Sequence, residues 1–409
     1  MTRSFNSLAG NDPMAVAVKP SLSKIDKMPN SASDAIKVMV VDDSAVVRGL
    51  VSRWIGEEPG IEMIARHANG QKAVDDVATS QPDIIILDVE MPVMDGLEAL
   101  PHLLKNKPGV KVIMASTLTQ RNAETSMKAL SLGATDYIPK PDSNSGITTS
   151  ASFRTDLIKR IRSLGGRRRF TAARSPVPAR TATATTSGAP SGTKTGDAIK
   201  RLEKKADDGA VKLRPFSTIA PRILLVGSST GGPQALVKLF QTIAPVIGNV
   251  PVLVTQHMPA TFTAILAKHL GEAARRASAE AQHGEVLAPG TIYVAPGGYH
   301  MRLVPAPGGA AIALDQGPEI NFCRPAVDPM FESAAKIYRA GILATILTGM
   351  GHDGTNGGRV IADAGGSVIA QDEETSVVWG MPGAAAAAGI CSAILPLPMI
   401  GPKIISLLK

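Results

Sequence analysis

Short apolar runs alternate with amphipathic segments along residues 36–140, and this pattern predicts a parallel sheet with helices on both faces. The runs that predict strands are IKVMVVDD, IEMIARHA, PDIIILDV, VKVIMAS and ATDYIPK. Segments with apolar residues at helical spacing, such as AVVRGLVSRWIGEE, lie between them. Five successive βα units of this kind are typical of a flavodoxin-like, doubly wound (βα)5 fold.

The same alternation returns over residues 220–409 and predicts a second, larger α/β sheet that is mainly parallel and doubly wound. Its apolar runs are PRILLVGSS, VPVLVTQHM, GTIYVAPGG, GAAIALD, AGILATILTGMG and GGSVIAQD. Helical patterns such as TFTAILAKHLGEAARR separate several of these runs. The stretch TIYVAPGGYHMRLVP has two apolar halves about a Gly-Gly turn, and we expect it to form an antiparallel hairpin at the sheet edge.

The region between the two patterns is basic and poor in apolar residues. Residues 159–222 contain 16 Lys or Arg and 4 Asp or Glu, whereas the whole chain has a net charge of +8. Residues 165–215 are also rich in Ser, Thr, Ala, Pro and Gly, a composition that cannot bury enough apolar surface to order the chain. We therefore predict a flexible extension at 1–34, an α/β domain at 35–150, a basic linker at 151–218 and a second α/β domain at 219–409.

Composition excludes several classes of protein. No apolar run approaches the roughly 20 residues of a membrane span, and the N-terminus lacks the apolar core of a signal peptide. The linker has almost no aromatic residues and no nucleic-acid-binding motif, so we expect a tether that does not bind nucleic acid. The two cysteines, Cys323 and Cys391, form no disulfide framework, which favours the cytoplasm; we expect Cys323 to have a packing role.

Five polar residues follow strands of the first domain, where a doubly wound sheet collects its functional groups. Asp42 and Asp43 end the first strand, Asp88 ends the third, and Ser116 and Lys140 follow the fourth and fifth. Three neighbouring carboxylates repel one another unless a hard cation such as Mg²⁺ joins them. A lysine and a hydroxyl beside them suit a phosphoryl group, for which Asp88 is the natural acceptor.

These residues stand in stretches that resemble the receiver domain of response regulators: VVDDS, LDVEMPVMDG, the strand-end Ser116 and PKP. The resemblance implies phosphorylation at Asp88 and Mg²⁺ binding by Asp42, Asp43 and Asp88. It also implies a conformational switch through Ser116 and Lys140. Tyr137 lies near the aromatic switch position of that family.

A serine-rich and glycine-rich turn, GSSTGGPQAL, begins at Gly227 in the second domain. It lacks the lysine of a phosphate-binding loop and the spacing of a dinucleotide-binding loop. His257 follows the next long strand and Asp353 follows a third, so strand-end loops bring together a hydroxyl, an imidazole and a carboxylate. This combination predicts a catalytic triad, with either Ser228 or Ser229 as the nucleophile.

Glycines in STGG and TGMG would let backbone amides approach a developing oxyanion. Each triad member has a structural alternative, because the serines suit a helix N-cap, the histidine a core hydrogen bond and the aspartate a Gly-rich turn. The residues alone do not decide between Ser228 and Ser229.

The second domain resembles the catalytic domain of the chemotaxis protein-glutamate methylesterases, the CheB family. The matching stretches are GSSTGGPQAL, TQHMP, YVAPGGYHM, CRPAVDPMFESAA, LTGMGHDGT and QDEETSVVWGMPGAA. The resemblance implies Ser229 as nucleophile, His257 as base and Asp353 as its orienting partner. Thr230 and Met350 fall beside the site, with the Met350 amide in the oxyanion hole.

The family implies an enzyme that hydrolyses glutamate methyl esters on chemoreceptors, releasing methanol, and that deamidates certain receptor glutamines. It implies the histidine kinase CheA as phosphodonor, Mg²⁺ for the receiver, no cofactor for hydrolysis, a cytoplasmic location without membrane insertion, and a receiver that covers the catalytic cleft. His352 departs from the family, which commonly has Asn there. A non-catalytic binding module would not need all three triad residues, and a DNA-binding regulator would need a helix-turn-helix output.

Overall fold

The computed structural model describes residues 35–117, 119–140, 147–166 and 212–409. The predicted flexible extension at 1–34 and most of the predicted linker lie outside the described residues. Among the described residues, no helix has both the length and the apolar character needed to cross a bilayer.

The first fold is a five-stranded parallel sheet in the order β2-β1-β3-β4-β5. Its strands are β1 (Ile36–Val41), β2 (Ile61–His67), β3 (Ile84–Asp88), β4 (Lys111–Ser116) and β5 (Asp136–Pro139). Its helices are α1 (Ala45–Gly56), α2 (Gly70–Ser80), α3 (Gly96–Asn106), α4 (Gln120–Ser131) and α5 (Ile147–Gly165). Strand order and helix alternation agree with the predicted (βα)5 fold.

Local sequence explains where these helices begin. The side chains of Ser44, Asn69, Asp95 and Thr119 each accept a hydrogen bond from an amide in the first turn of the helix that follows. The central strand β3 is buried along its whole length, as expected for a continuous apolar run between two helical layers.

Helix α5 crosses the boundary that we predicted at residue 150. The helix continues to Gly165 because Leu157 and Ile161 are fully buried against the sheet and Phe153 packs against Trp54, with ring centroids 5.9 Å apart. The first residues of the second fold also lie inside the predicted linker. The Arg214 amide donates to the carbonyl of Cys391 over 2.8 Å.

The second fold is a seven-stranded parallel sheet in the order β14-β13-β12-β6-β7-β9-β8. Its strands are β6 (Ile223–Ser228), β7 (Val252–Gln256), β8 (Ser278–Glu280), β9 (Ile292–Val294), β12 (Ile342–Ile346), β13 (Ser367–Gln371) and β14 (Ala393–Leu395). Its helices are α6 (Gly232–Ile243), α7 (Ala260–Ala274), α8 (Val327–Tyr338), α9 (Thr355–Asp363), α10 (Met381–Ala387) and α11 (Leu397–Leu408). Two 3₁₀ turns lie at Ile247–Asn249 and Arg339–Gly341.

An antiparallel hairpin is present, but its strands are not the two that we predicted. The strand β9 joins the parallel sheet, and the hairpin pairs β10 (His300–Ala306) with β11 (Gly309–Asp315). The turn falls at Pro307 and Gly308 instead of Gly297 and Gly298, because β9 continues the apolar surface beside β7 and is buried throughout.

The two folds share one hydrophobic cluster. Helix α4 and strand β5 of the first fold pack against helices α6 and α7 of the second. Tyr137 stacks on Phe262 with ring centroids 4.3 Å apart and planes 14° from parallel. The Gln234 amide donates to the carbonyls of Leu130 and Ala134, both over 2.6 Å.

Candidate active site

Three neighbouring strands bring the predicted triad to one edge of the second sheet. The strand β6 lies between β7 and β12, so the carboxyl ends of all three strands are adjacent. Ser229 follows β6, His257 follows β7, and Asp353 lies in the loop between β12 and α9. The topology therefore collects residues that are 28 and 96 positions apart along the chain.

The two adjacent serines have different surroundings. Ser228 is fully buried, and its hydroxyl donates to Oε1 of Gln256 over 2.7 Å. Ser229 is partly exposed and lines an open cleft. Within the described part of the chain, the Ser229 hydroxyl makes no hydrogen bond, although its carbonyl accepts from Nε2 of Gln256 over 2.9 Å. Of the two serines, Ser229 is the one whose hydroxyl can meet a ligand.

A buried carboxylate holds the imidazole of His257. Nε2 of His257 lies 2.7 Å from Oδ2 of Asp353, which is 1% exposed. The amides of Val327 and Asp328, in the first turn of α8, donate to the same carboxylate over 2.6 and 3.1 Å. The helix N-terminus thus stabilises the negative charge of Asp353. Because a carboxylate accepts, Nε2 carries the proton and Nδ1 is left as the acceptor.

Burial and the neighbouring polar groups have opposite effects on the pKa values of Asp353 and His257. Burial raises the pKa of Asp353, but the hydrogen bonds and the charge of His257 outweigh it and hold that pKa below its usual range. Burial lowers the pKa of His257, yet the interactions with Cys323 and Asp353 outweigh it and raise that pKa. The surroundings of His257 therefore stabilise the imidazolium that forms when Nδ1 takes a proton.

Cys323 is not a packing residue, which corrects our prediction. Its Sγ lies 3.3 Å from Nδ1 of His257, and the thiol lines the same cleft as Ser229. The loop before α8 carries Cys323 across 66 positions of sequence to the imidazole. Sequence spacing gave no sign of this contact.

Glycine brings the loop after β12 close to Ser229. A Cβ atom built on Gly349 would lie 2.9 Å from Cβ of Ser229 and would also collide with the sulfur of Met381. The next residue, Met350, lines the cleft. The backbone amides of Met350 and Thr230 donate no hydrogen bond to any described residue. These two amides, one in the residue after Ser229 and one in the loop after β12, are the kind of donors that an oxyanion needs.

The cleft has a volume of about 670 Å³, and both folds line it. The triad residues, Cys323 and the exposed His352 form one side. Helix α5 of the first fold supplies Lys159, Arg160 and Arg162 on the other side. The ammonium of Lys159 lies 4.7 Å from the ring centroid of Phe322.

A polar network also connects the first fold to the residue after Ser229. The Thr230 hydroxyl donates to Oδ2 of Asp136 over 3.1 Å, and Arg160 forms an ion pair with the same oxygen. Thr230 is buried, and its carbonyl accepts from the hydroxyl of Thr348 over 2.9 Å. The Thr230 side chain therefore contacts the first fold, whereas its amide donates to no described residue.

The acidic residues of the first fold lie together, as we predicted from the strand ends. One ligand oxygen from each of Asp42, Asp43 and Asp88 lies within 4.8 Å of the others. Lys140 Nζ lies 2.6 Å from Oδ2 of Asp42 and 2.7 Å from Oδ2 of Asp88. Burial raises the pKa of Asp88 to about 6, against the opposing effect of Lys140. The three carboxylates, of which Lys140 pairs with two, leave excess negative charge and a hard oxygen ligand set, which suits Mg²⁺.

Two of the predicted switch residues, Ser116 and Tyr137, contact different parts of the molecule. The hydroxyl of Ser116 lies 2.9 Å from that of Ser126 in α4, and both side chains are buried. Tyr137 is buried against the second fold, and burial raises the pKa of its phenol. Tyr137 is therefore a direct contact between the two folds.

Sequence reasoning missed three supporting residues besides Cys323. Gln256 joins Ser228 to the backbone of Ser229, and Thr348 joins the loop after β12 to Thr230. Asp328 accepts the Gly357 amide over 2.7 Å and so fixes α9 behind Asp353. Gln256 and Thr348 lie within the stretches TQHMP and LTGMG, beside predicted site residues, and this proximity in sequence could have identified them.

Comparison with known proteins gives matches along both folds. Residues 38–151 match the response regulator receiver domain, and residues 224–404 match the CheB methylesterase domain. A protein-glutamate methylesterase/protein-glutamine glutaminase of group 2 operon from Bradyrhizobium diazoefficiens is 55% identical over 370 residues, covering 90% of this chain and 93% of the relative.

A protein-glutamate methylesterase/protein-glutamine glutaminase from Rhodopseudomonas palustris is 53% identical over 398 residues, covering 96% of this chain and 98% of the relative. Among solved structures, the catalytic domain of the Thermotoga maritima CheB methylesterase has 41% sequence identity and a TM-score of 0.45. It covers 46% of this chain and 100% of that chain.

Proposed function

Because the chain belongs to the CheB methylesterase family and carries a response-regulator receiver domain, we propose that it demethylates chemoreceptors under the control of phosphorylation. The substrates are methyl esters of specific receptor glutamates, with methanol as the product, and specific receptor glutamines that are deamidated. The observation that carries this proposal is the accessible Ser229 hydroxyl beside a histidine that a buried carboxylate orients.

In the proposed reaction, Oγ of Ser229 attacks the ester carbonyl and its proton passes to Nδ1 of His257. Asp353 holds Nε2–H and stabilises the imidazolium that forms. The amides of Met350 and Thr230 face the developing oxyanion. His257 then returns the proton to the leaving methanol, and water repeats the sequence on the acyl-Ser229 intermediate. Deamidation follows the same steps with ammonia as the leaving group.

The position of the receiver supports its role as a gate. Helix α5 forms one wall of the cleft, so a helical substrate with a diameter of about 10 Å would have to enter space that this wall borders. A receptor helix therefore requires the receiver to move. Tyr137, Gln234 and the pair of Thr230 with Asp136 are the contacts that it must release.

Phosphorylation at Asp88 is the proposed trigger, with the histidine kinase CheA as phosphodonor. Asp42, Asp43 and Asp88 would hold Mg²⁺, which supplies positive charge to the phosphoryl oxygens. The added negative charge attracts Lys140 away from its shared position between two carboxylates and gives the Ser116 hydroxyl a new acceptor. Ser116 would then leave Ser126 in α4, a helix that packs against the catalytic fold.

Substitution of Asp353 tests the catalytic part of the proposal. Asp353→Asn keeps the size of the side chain but removes the charge that stabilises the imidazolium. We expect methanol release from methylated receptor membranes to fall on the order of 10⁴-fold, as in a serine-histidine-aspartate triad. A variant that folds normally and keeps more than a tenth of the activity would contradict the assigned role of Asp353.

A further inference from the structure

Cys323 completes a second nucleophilic arrangement around the same histidine. The order of contacts is thiol, imidazole and carboxylate: Sγ of Cys323 is 3.3 Å from Nδ1 of His257, and Nε2 is 2.7 Å from Asp353. An imidazole that accepts a thiol proton while a carboxylate stabilises the resulting cation is how proteins activate cysteine nucleophiles. The proposed serine mechanism makes no use of this thiol.

The two cysteines of the chain, Cys323 and Cys391, differ in their exposure to solvent. Cys323 is partly exposed and lines the open cleft, next to the strongly exposed ring of Phe322. Cys391 is fully buried in the hydrophobic core, and burial raises the pKa of its thiol to about 12. The Cys323 thiol thus has a proton acceptor and a path from solvent. The Cys391 thiol is buried and makes no hydrogen bond to a described residue. Cys391 is a matched internal control.

We propose that Cys323 is a nucleophilic thiol, activated by His257, that small electrophiles such as hydrogen peroxide modify and that stops ester hydrolysis when modified. With peroxide, the thiol proton passes to Nδ1 of His257 and the sulfur attacks one peroxide oxygen. The O–O bond breaks, the sulfur is oxidised to a sulfenic acid, and the peroxide is reduced to water as the leaving hydroxide takes the proton. With iodoacetamide, an S–C bond forms and iodide leaves.

Modification stops hydrolysis because it acts on the nitrogen that Ser229 needs. A sulfenic acid at Cys323 places a hydroxyl against Nδ1 of His257 and adds an atom to the cleft. The imidazole is then unavailable to the serine. This part of the inference rests on the proposed function, whereas the reactivity of the thiol does not.

Iodoacetamide labelling of the native full-length chain tests the thiol itself. We expect one labelled cysteine, identified as Cys323 by peptide mass spectrometry, with Cys391 labelled only after denaturation. Cys391→Ala should label like the wild type, Cys323→Ser should not label, and Ser229→Ala should label normally. His257→Gln should label roughly tenfold more slowly or worse, because the proton acceptor is gone.

If His257→Gln does not fold, the pH dependence of wild-type labelling replaces it. An activated thiol reacts at pH values well below about 8.5, where an ordinary cysteine is protonated. Labelling of Cys323 at the rate of a free thiol, or no labelling of Cys323, would overturn the proposed activation.

Hydrogen peroxide tests the consequence for activity. Each variant is compared with its own untreated rate of methanol release. Wild type and Cys391→Ala should lose most activity and regain it with dithiothreitol, whereas Cys323→Ser should keep its activity. Loss of activity in Cys323→Ser at the same peroxide dose would refute the inhibitory role. If no variant releases methanol before treatment, the proposed function fails while the labelling result still decides the reactivity of Cys323.

Discussion

At the scale of single residues, surroundings distinguish two serines that the sequence could not separate. Ser228 is fully buried, and its hydroxyl donates to Gln256. Ser229 lines the cleft, and its hydroxyl makes no hydrogen bond to any described residue. Adjacent residues at a strand end point to opposite sides of the sheet, so the hydroxyl of Ser228 faces the interior whereas that of Ser229 is accessible. The sequence identified the pair but not the direction of each side chain.

We expect Ser229→Ala to abolish methanol release without loss of stability, because the change removes one hydroxyl that makes no hydrogen bond to any described residue. Ser228→Ala should keep most of the activity but lower the free energy of unfolding by about 1–3 kcal/mol, since it leaves Oε1 of Gln256 without its donor. Methanol release and urea unfolding of both variants check this. Inactive Ser228→Ala with active Ser229→Ala would reverse the assignment.

The contacts of His257 predict the pH dependence of catalysis. In the proposed mechanism, His257 acts as a base only when it is neutral. Burial lowers the pKa of His257, but Cys323 and Asp353 outweigh burial and raise that pKa above the ordinary value of about 6.5. Activity should therefore increase with pH, with the midpoint of the acid limb above 6.5. In Cys323→Ser, which lacks an ionisable thiol, the limb should move to lower pH. Profiles of kcat/KM for both proteins provide the measurement, and a wild-type midpoint below 6 would contradict the account.

At the scale of elements, the sequence predicted strands and helices correctly where a local pattern of apolar residues determines them. Apolar runs predicted both sheets, and their carboxyl ends correctly located the loops that carry the candidate residues. The hairpin was misassigned because Gly-rich turns occur on both sides of β10, and only pairing with β7 decides where β9 lies. The contact of Cys323 with His257 depends on the path of a loop, which no periodic pattern encodes.

Helix α6 connects the catalytic loop to the receiver, and Gln234 near its start makes the connection. Its side-chain nitrogen donates to two receiver carbonyls, so Gln234→Glu would place a carboxylate oxygen opposite two acceptors. We expect this variant to raise methanol release without phosphodonor and to reduce the further gain with phosphodonor. Gln241→Glu, at an exposed position on the same helix, is the matched control for the same change of charge. Unchanged basal activity in Gln234→Glu would show that this contact does not restrain the receiver.

At the scale of the whole molecule, the receiver and the esterase meet through a small set of contacts around the Ser229 cleft. Tyr137 on Phe262, Gln234 on α4 and Thr230 on Asp136 join a shared apolar cluster. In the proposed mechanism, phosphorylation shifts the equilibrium between the docked and the separated receiver. Because the intrachain interface is of this modest kind, a change of a few kcal/mol in its free energy is sufficient. The family resemblance implied a receiver that covers the cleft, but only the fold shows which residues of the two domains are in contact.

The most direct measurement is methanol release from methylated receptor membranes, with and without a small-molecule phosphodonor and Mg²⁺. Wild type and Asp88→Asn are compared, because Asn keeps the shape of the side chain but cannot be phosphorylated. If the receiver controls the cleft, both proteins have a low basal rate, and addition of phosphodonor raises the rate of the wild type alone. Equal rates for both proteins under both conditions would contradict control of the Ser229 cleft by the receiver.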